Sequence, residues 1–263
     1  SRLEKVERKG MDIMIALDVS NSMLSEDILP NRLERAKQSI SKLIEELRND
    51  RLGIIVFAGK AFTQLPITTD YAAAKMFVSS IDPGIVPVQG TSISEAIRLA
   101  EKSFNKPEHS KAIIIITDGE DHEGEALEAA KACSEKGIKL YTIGMGLPEG
   151  SPIPLYNNGV RSGFKKDKKG QTIISRLNEN MLQQIAAAGN GIYVRANNSN
   201  TGLKQIFNEI DSMEKKEFES RMFSDYEDRF QYFLFPALLL LIIEILLLNR
   251  KSKWAMSISL FKD

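Results

Sequence analysis

The stretch "MDIMIALDVSNSM", Met11 to Met23, runs from an apolar segment into a single carboxylate followed by two serines at alternating positions. Asp12–Leu17 is short and rich in apolar side chains, which suits a buried strand. The strand then ends in Asp18-x-Ser20-x-Ser22. That ending fits a catalytic loop, a metal site or an ordinary polar strand end, and the rest of the chain has to decide which.

Further short apolar runs follow at Leu52–Phe57, Ala112–Thr117, Lys139–Ile143 and Gly191–Val194. They alternate with amphipathic stretches, the pattern of an α/β domain with a mostly parallel sheet. Ala61–Gln64, a few residues past the second run, reads as a hairpin partner at the sheet edge. The spacing predicts helices over Arg32–Arg48, Tyr71–Ile81, Ser92–Phe104, Gly124–Lys136, Glu179–Ala188 and Gly202–Lys216. In the first of these, Leu33, Ala36, Ile40, Leu43, Ile44 and Leu47 form one apolar stripe. Asp70 and Thr91 suit helix N-caps, and Gly137 and Gly189 suit the left-handed position after a helix. Leu147–Ser175 is too long for an ordinary connection and carries two turn signals, Asn157-Asn158-Gly159 and Asp167-Lys168-Lys169-Gly170. It reads as a β-hairpin insertion. Five of the six charged residues from Arg161 to Lys169 are basic, so it is either a solvated loop or a docking element.

At 263 residues with 43% hydrophobic content the chain has material for one full-sized core plus appendages. Lys and Arg total 35, as do Asp and Glu, and no patch interleaves basic residues with aromatics; this argues against a nucleic-acid partner. The single cysteine, Cys133, lies on a helical stretch and reads as a small core residue.

Phe230–Leu248, "FQYFLFPALLLLIIEILLL", is apolar all the way round apart from Gln231 and Glu244. As a helix it would span roughly 28 Å, about the thickness of a bilayer core, and is expected to cross a membrane. The basic cluster Asn249-Arg250-Lys251-Ser252-Lys253 sets the tail, residues 249–263, in the cytoplasm, and the preceding domain outside the inner membrane. Residues 1–10 read as a linker, with an export or membrane segment expected upstream, and residues 218–229 as a stalk. Pro236 falls early in the helix, where a missing donor is tolerated. Glu244 is costly in lipid unless paired or near the interface.

Functional groups in a parallel sheet gather at the carboxyl ends of its strands. Here that edge carries Asp18, Ser20 and Ser22 after the first strand, Thr91 in the loop Val88-Gln89-Gly90-Thr91-Ser92, and Asp118 in Thr117-Asp118-Gly119. All are hard oxygen donors, a set that suits Mg²⁺, with Mn²⁺ or Ca²⁺ as substitutes, and disfavours Zn²⁺ or Cu. Residues two apart can face the same side, so Asp18, Ser20 and Ser22 can wrap one ion. With neutral hydroxyls among its ligands the ion stays electron-poor and ready to accept an anionic group from outside. Asn21, Met23 and Glu120 fall on the rim, where they could touch a partner or act as spacers. Glu120 and Asp121 either add charge or cap the next helix, and His122 and His109 read as solvent-exposed turn residues.

These residues, in their order and strand context, resemble the metal-ion-dependent adhesion site of the von Willebrand factor A domain family over roughly residues 10–217. The resemblance implies a doubly wound sheet with helices on both faces. It also implies a Mg²⁺ held by Asp18, Ser20, Ser22, Thr91 and Asp118, and ligation of an acidic residue from a partner. "ALDVSNSML", "PNRLERAK", "GTSISEAI", "TDGEDHEG", the insertion and "DYEDRFQYFLFPALLLL" are further similar to the Bat (Bacteroides aerotolerance) membrane proteins. That likeness implies a bacterial inner-membrane protein with a periplasmic A domain. It implies as partners other Bat-family membrane proteins and a MoxR-type AAA+ ATPase, with homo- or hetero-oligomers formed through the membrane helix.

Three functions compete. The first is a membrane-anchored, Mg²⁺-dependent interaction module without enzyme activity. The second is a Mg²⁺-dependent phosphohydrolase of the haloacid-dehalogenase type, which would need a second Asp where Ser20 stands. The third is an oligomeric membrane scaffold whose metal site is purely structural.

Overall fold

Strand β1 (Met11–Asp18) is buried at every position. A strand covered on both faces must lie inside a sheet with helices packed above and below. The computed structural model describes residues 10–107, 109–120, 124–157, 160–198, 202–212 and 230–248. In it β1 pairs in parallel with β2 (Arg51–Phe57) on one side and with β4 (Ser110–Thr117) on the other. β3 (Ala61–Thr68) closes one edge antiparallel to β2, while β5 (Ile138–Gly144) and β10 (Tyr193–Arg195) extend the other in parallel. The strand order is β10-β5-β4-β1-β2-β3.

Alternation along the strands divides the core into two layers. Ile13, Ile15, Leu17, Ile54, Val56, Ile114 and Ile116 point to one face, beneath helices α1 (Arg32–Glu46), α2 (Tyr71–Ser79) and α6 (residues 203–212). Met14, Ala16, Ile55, Phe57, Ile113 and Ile115 point to the other, beneath α3 (Ile93–Ser103), α4 (Ala126–Glu135) and α5 (Glu179–Ala188). The apolar stripe read from Leu33 to Leu47 is the buried face of α1. Cys133 is buried. Asn31 caps α1, its side chain accepting the Glu34 amide at 2.8 Å, and Asp70 caps α2 in the same way from Ala73.

Several expectations need correction. β3 runs on to Thr68, well past Gln64, although Pro66 lies within it. An edge strand tolerates the missing donor, and the register shifts on β2 around Ile54 absorb it. Ser92, not Thr91, is the residue flanking α3. After α5 the left-handed residue is Asn190, with φ 53°, while Gly189 has φ −89°. Gly189 is required for another reason: a Cβ there would lie 2.4 Å from Leu140 Cβ. His109 is no surface-turn residue, since its Nδ1 lies 2.9 Å from Asp12 Oδ1, and Arg51 also binds Asp12. Asp12 sits at the start of β1, at the opposite end of the sheet from Asp18.

The insertion is more than one hairpin. β7 (Pro154–Asn157) pairs with β8 (Val160–Phe164) around the first turn signal. The chain then turns at Asp167, whose Oδ1 accepts the Lys169 and Gln171 amides at 2.8 Å each. It returns so that β9 (Ile174–Ser175) pairs with β6 (Ser151–Pro152) at the root.

The chain divides into two units, Ser1–Glu214 and Lys215–Asp263. In the second, α7 (Phe230–Leu248) is a 19-residue helix with Pro236 inside it. Its side chains are described from 234 to 244, and the large apolar ones, Leu234 to Ile243, are all exposed. Counting only described residues, no helix is long and apolar enough to cross a membrane. The linker to residue 9, the stalk, the tail, Asp121 and His122 lie outside the described residues.

The glycines around β5 and β10 give a stability test. A Cβ at Gly191 would sit 2.1 Å from the Leu140 carbonyl oxygen, whereas Gly137, with φ +72°, has open space around it. Gly191→Ala forces the backbones apart and should cost toward the upper end of about 1–3 kcal/mol. Gly137→Ala carries only the left-handed penalty of about 1 kcal/mol. Urea denaturation of the two variants should rank them in that order.

Candidate metal centre

β1 and β4 are neighbours in the sheet, yet the chain leaves β1 toward β2 and reaches β4 only after three intervening helices. The connections diverge at this point, and the loops leaving the two carboxyl ends open a crevice between them. Asp18 is the last residue of β1 and Asp118 follows the last residue of β4, so both carboxylates reach that crevice from rigid strands.

The local geometry follows from short polar contacts. Asp18 Oδ1 accepts the Ser20 amide at 2.8 Å, which bends the chain out of the strand, and Oδ2 accepts the Thr117 hydroxyl at 2.6 Å. Ser20 Oγ and Ser22 Oγ lie 2.9 Å apart, so the two hydroxyls are side by side as the alternation requires. The third loop is drawn in by backbone bonds: Ser92 donates to Ala58 O at 2.8 Å and Gly59 to Val88 O at 2.9 Å. Gln89 Oε1 then accepts the Asn21 amide at 3.2 Å, tying the Thr91 loop to the serine loop. Asp18 and Asp118 are fully buried, and Ser20, Ser22 and Thr91 nearly so.

Beneath Asp118 lies a group absent from the expected site. Arg32, the first residue of α1, is fully buried. Its Nε and Nη2 donate to the two oxygens of Asp27 at 2.8 and 2.7 Å, and Nη1 donates to Asp118 Oδ2 at 3.0 Å and to Ser175 Oγ at 2.7 Å. Ser175, from β9 of the insertion, donates to the same Asp118 oxygen at 3.1 Å. Asp118 Oδ1 accepts the Glu120 amide at 3.2 Å. One clue was open to sequence reading: a cation in the first turn of a helix opposes the helix dipole and calls for a nearby anion.

The charges are unevenly met. Burial, and after it the charge of Asp118, pushes the Asp18 carboxyl up to about 7 against the hydrogen bonds from Thr117 and Ser20. Burial also works to raise Asp27, but the hydrogen bonds and charge of Arg32 outweigh it and leave that carboxyl below its ordinary range. Glu120 is raised by burial and then by Asp118.

The structure thus brings Asp18, Ser20 and Ser22 together and links their loop to those of Thr91 and Asp118. Among the described residues no three His, Cys, Asp or Glu side chains converge to hold a metal; the candidate donors are two carboxylates and three hydroxyls. The rim is smaller than expected. Met23 is fully buried in the core, because the short 3-10 turn Asn21–Leu24 folds it inward, and it cannot touch a partner. Asn21 is half-buried, and Glu120 Oε1 accepts the Arg176 amide at 3.0 Å, so it faces the insertion.

Residues 13–120 match the von Willebrand factor type A domain family. BatB from Bacteroides thetaiotaomicron, described as a conserved hypothetical protein, is 55% identical with a TM-score of 0.75, covering 78% of this chain and 100% of its own. An aerotolerance-related membrane protein from Bacteroides fragilis is 53% identical with a TM-score of 0.73, over 77% of this chain and 100% of its own. A UPF0353 protein of Mycolicibacterium paratuberculosis is 26% identical over 212 residues, which are 75% of this chain but 58% of that protein, so the chain spans little more than half of that curated relative. The motifs, the doubly wound sheet and these likenesses agree, and the chain belongs to the von Willebrand factor A domain proteins of the Bat family.

Proposed function

We propose that the crevice is a divalent-cation site through which a membrane-anchored interaction module captures an acidic residue of a partner protein. The observation that carries this reading is a count of buried charge. Asp18 and Asp118 are buried and the Asp27 side chain is nearly so, with one guanidinium, Arg32, among them; once Asp18 is ionised two negative charges are uncompensated, and without a cation burial keeps a proton on Asp18 instead. Buried charges without partners are costly, and a divalent cation supplies the missing two.

Ser20, Ser22 and Thr91 would offer hydroxyl oxygens, and Asp18 and Asp118 would ligate directly or through water. Asp118 Oδ2 already accepts two hydrogen bonds, from Arg32 and Ser175, whereas each Asp18 oxygen accepts one, so the water-mediated role suits Asp118 better. The Thr117 hydroxyl donates to Asp18 Oδ2 and so restrains that carboxylate. The hard-oxygen set favours Mg²⁺, with Mn²⁺ or Ca²⁺ as substitutes. A bound ion would supply Lewis acidity toward a carboxylate from outside. A hydrolytic role lacks support: Ser20 stands where a phosphohydrolase would need its second Asp.

The apolar helix α7 anchors the module in the bacterial inner membrane, with the domain periplasmic and the tail cytoplasmic. Support comes from its apolar sequence, Gln231 and Glu244 apart, and the exposure of its large apolar side chains from Leu234 to Ile243. Partners, as the Bat likeness implies, are other Bat-family proteins, with a MoxR-type AAA+ ATPase acting beside them. The exposed apolar helix also favours a second reading, assembly through the membrane segment with a purely structural metal. Thr91→Ala separates the two: retained assembly and cellular phenotype would favour the scaffold, and lost partner capture the docking module.

Isothermal calorimetry of the purified chain should find one Mg²⁺ per chain. Asp18→Asn and Thr91→Ala should each weaken that binding about 10- to 100-fold, the scale seen when ligand-shell groups are removed. No heat with Mg²⁺, Mn²⁺ or Ca²⁺ would sink the proposal, and tighter binding of Zn²⁺ would overturn the choice of metal.

The pH dependence follows from Asp18. Its carboxyl titrates near 7 in the metal-free folded state against an ordinary value of 3.8. Between those values the native state holds a proton that the unfolded chain has released, so the metal-free protein loses stability as pH rises from about 4 to 7. Mg²⁺ must displace that proton, so its affinity should fall as pH drops below 7. Denaturation midpoints in chelator and calorimetric titrations across that range check the two signs.

A further inference from the structure

We propose that Arg32 is the positioning residue of the candidate metal site, holding Asp118 and the root of the insertion as one unit, so that metal occupancy and docking of the insertion strengthen each other. This rests on the metal reading above, and it assigns the insertion a link to the site.

Both ends of the insertion converge on the one guanidinium. At the entry, Gly146 passes so close that a Cβ would lie 2.7 Å from Arg32 Cζ, and the next amide, Leu147, donates to Asp27 Oδ2 at 2.9 Å. At the exit, the Ser175 hydroxyl and carbonyl accept from Arg32 at 2.7 and 3.3 Å, and the Arg176 amide donates to Glu120. Leu177 N closes the neck by donating to Leu147 O at 3.2 Å. Arg32 fits this task because its planar fork presents donors in fixed directions: Nε and Nη2 to Asp27, and Nη1 to Asp118 and Ser175. A lysine ammonium could not span both carboxylates.

The coupling has a definite sign. Without a cation, the Asp118 carboxylate is held by Arg32, Ser175 and the Glu120 amide. A cation ligated by Asp118, directly or through water, would fix that carboxylate from the crevice side as well and leave it settled against Arg32 and Ser175, so the neck tightens. By linkage, a docked neck must strengthen cation binding by the same factor. A pin that was only structural would hold the neck equally well with and without metal.

The test is amide hydrogen exchange on the purified full chain in chelator and in saturating Mg²⁺, alongside calorimetry. In the wild type, Mg²⁺ should slow exchange at Leu147, Arg176 and Leu177 about 5- to 150-fold, the usual span of coupling between sites. In Arg32→Lys those amides should exchange fast and equally in both conditions. Ser175→Ala, a milder change, should give an intermediate response. The proposal is overturned if Arg32→Lys keeps wild-type exchange and its Mg²⁺ response, or if calorimetry shows bound Mg²⁺ while the wild-type neck ignores it. Should Arg32→Lys fail to fold, Ser175→Ala decides, and wild-type exchange in both conditions counts against the idea. A wild type that binds no Mg²⁺ refutes the metal reading and the coupling together, whereas fast neck exchange of Arg32→Lys in chelator would still uphold the positioning role.

Discussion

A guanidinium shut away from water, with a carboxylate on either side, is the constraint around which the functional end of this protein is arranged. Burying Arg32 alone would be prohibitive, and burying Asp27 or Asp118 alone equally so. Together they are tolerable because the fork of one arginine meets both carboxylates at hydrogen-bond distance. Removing one member of such a set typically costs about 3–5 kcal/mol, because the others are left buried and unpaired. The start of α1, the loop before it, the end of β4 and the neck of the insertion are therefore held to one geometry.

That geometry depends in turn on the sheet. Side chains can be aimed this closely only from rigid supports. Asp18 and Asp118 leave adjacent parallel strands whose registers are fixed by backbone bonds along their full lengths, Met11 facing Ser110 through to Leu17 facing Ile116. Thr117 sits at the end of that ladder, and its hydroxyl reaches across to Asp18. The looser Thr91 loop has no strand beneath it. Gly59 compensates: a Cβ there would lie 2.6 Å from Gln89 O, so only glycine lets the β2–β3 turn approach closely enough to brace the loop.

The parts legible in the sequence were those governed by local patterning. Apolar runs located all five parallel strands of the main sheet, and α5 begins and ends where its periodicity does. The donors Asp18, Ser20 and Ser22 were legible because alternation and a strand end are local properties. Pro66 hid the rest of β3, since the tolerance of an edge strand for proline is a fact about its neighbours. Met23 was misplaced for its closeness to Ser22 in the chain, although it shares the odd-numbered side of Leu17 and Val19 and lies with them in one core layer. Arg32 was missed for a deeper reason. Its partners lie 5, 86 and 143 residues away, and a pairing of that kind leaves no periodic trace in any window of sequence.

The hydroxyl of Ser20, which stands where a phosphohydrolase would need its second Asp, acquires a further meaning once Arg32 is counted. With Asp18 ionised, the cluster of Asp18, Asp118, Asp27 and Arg32 carries two net negative charges, which a divalent ion would bring to zero. A partner carboxylate would then add one negative charge to a nearly dry crevice, a cost that direct ligation would have to meet. Were Ser20 an aspartate, the metal-loaded cluster would already be negative, and an incoming carboxylate would meet like charge. Under the proposed reading, neutral oxygen at positions 20 and 22 would keep the cluster charge low enough for an external carboxylate to be the favoured last ligand.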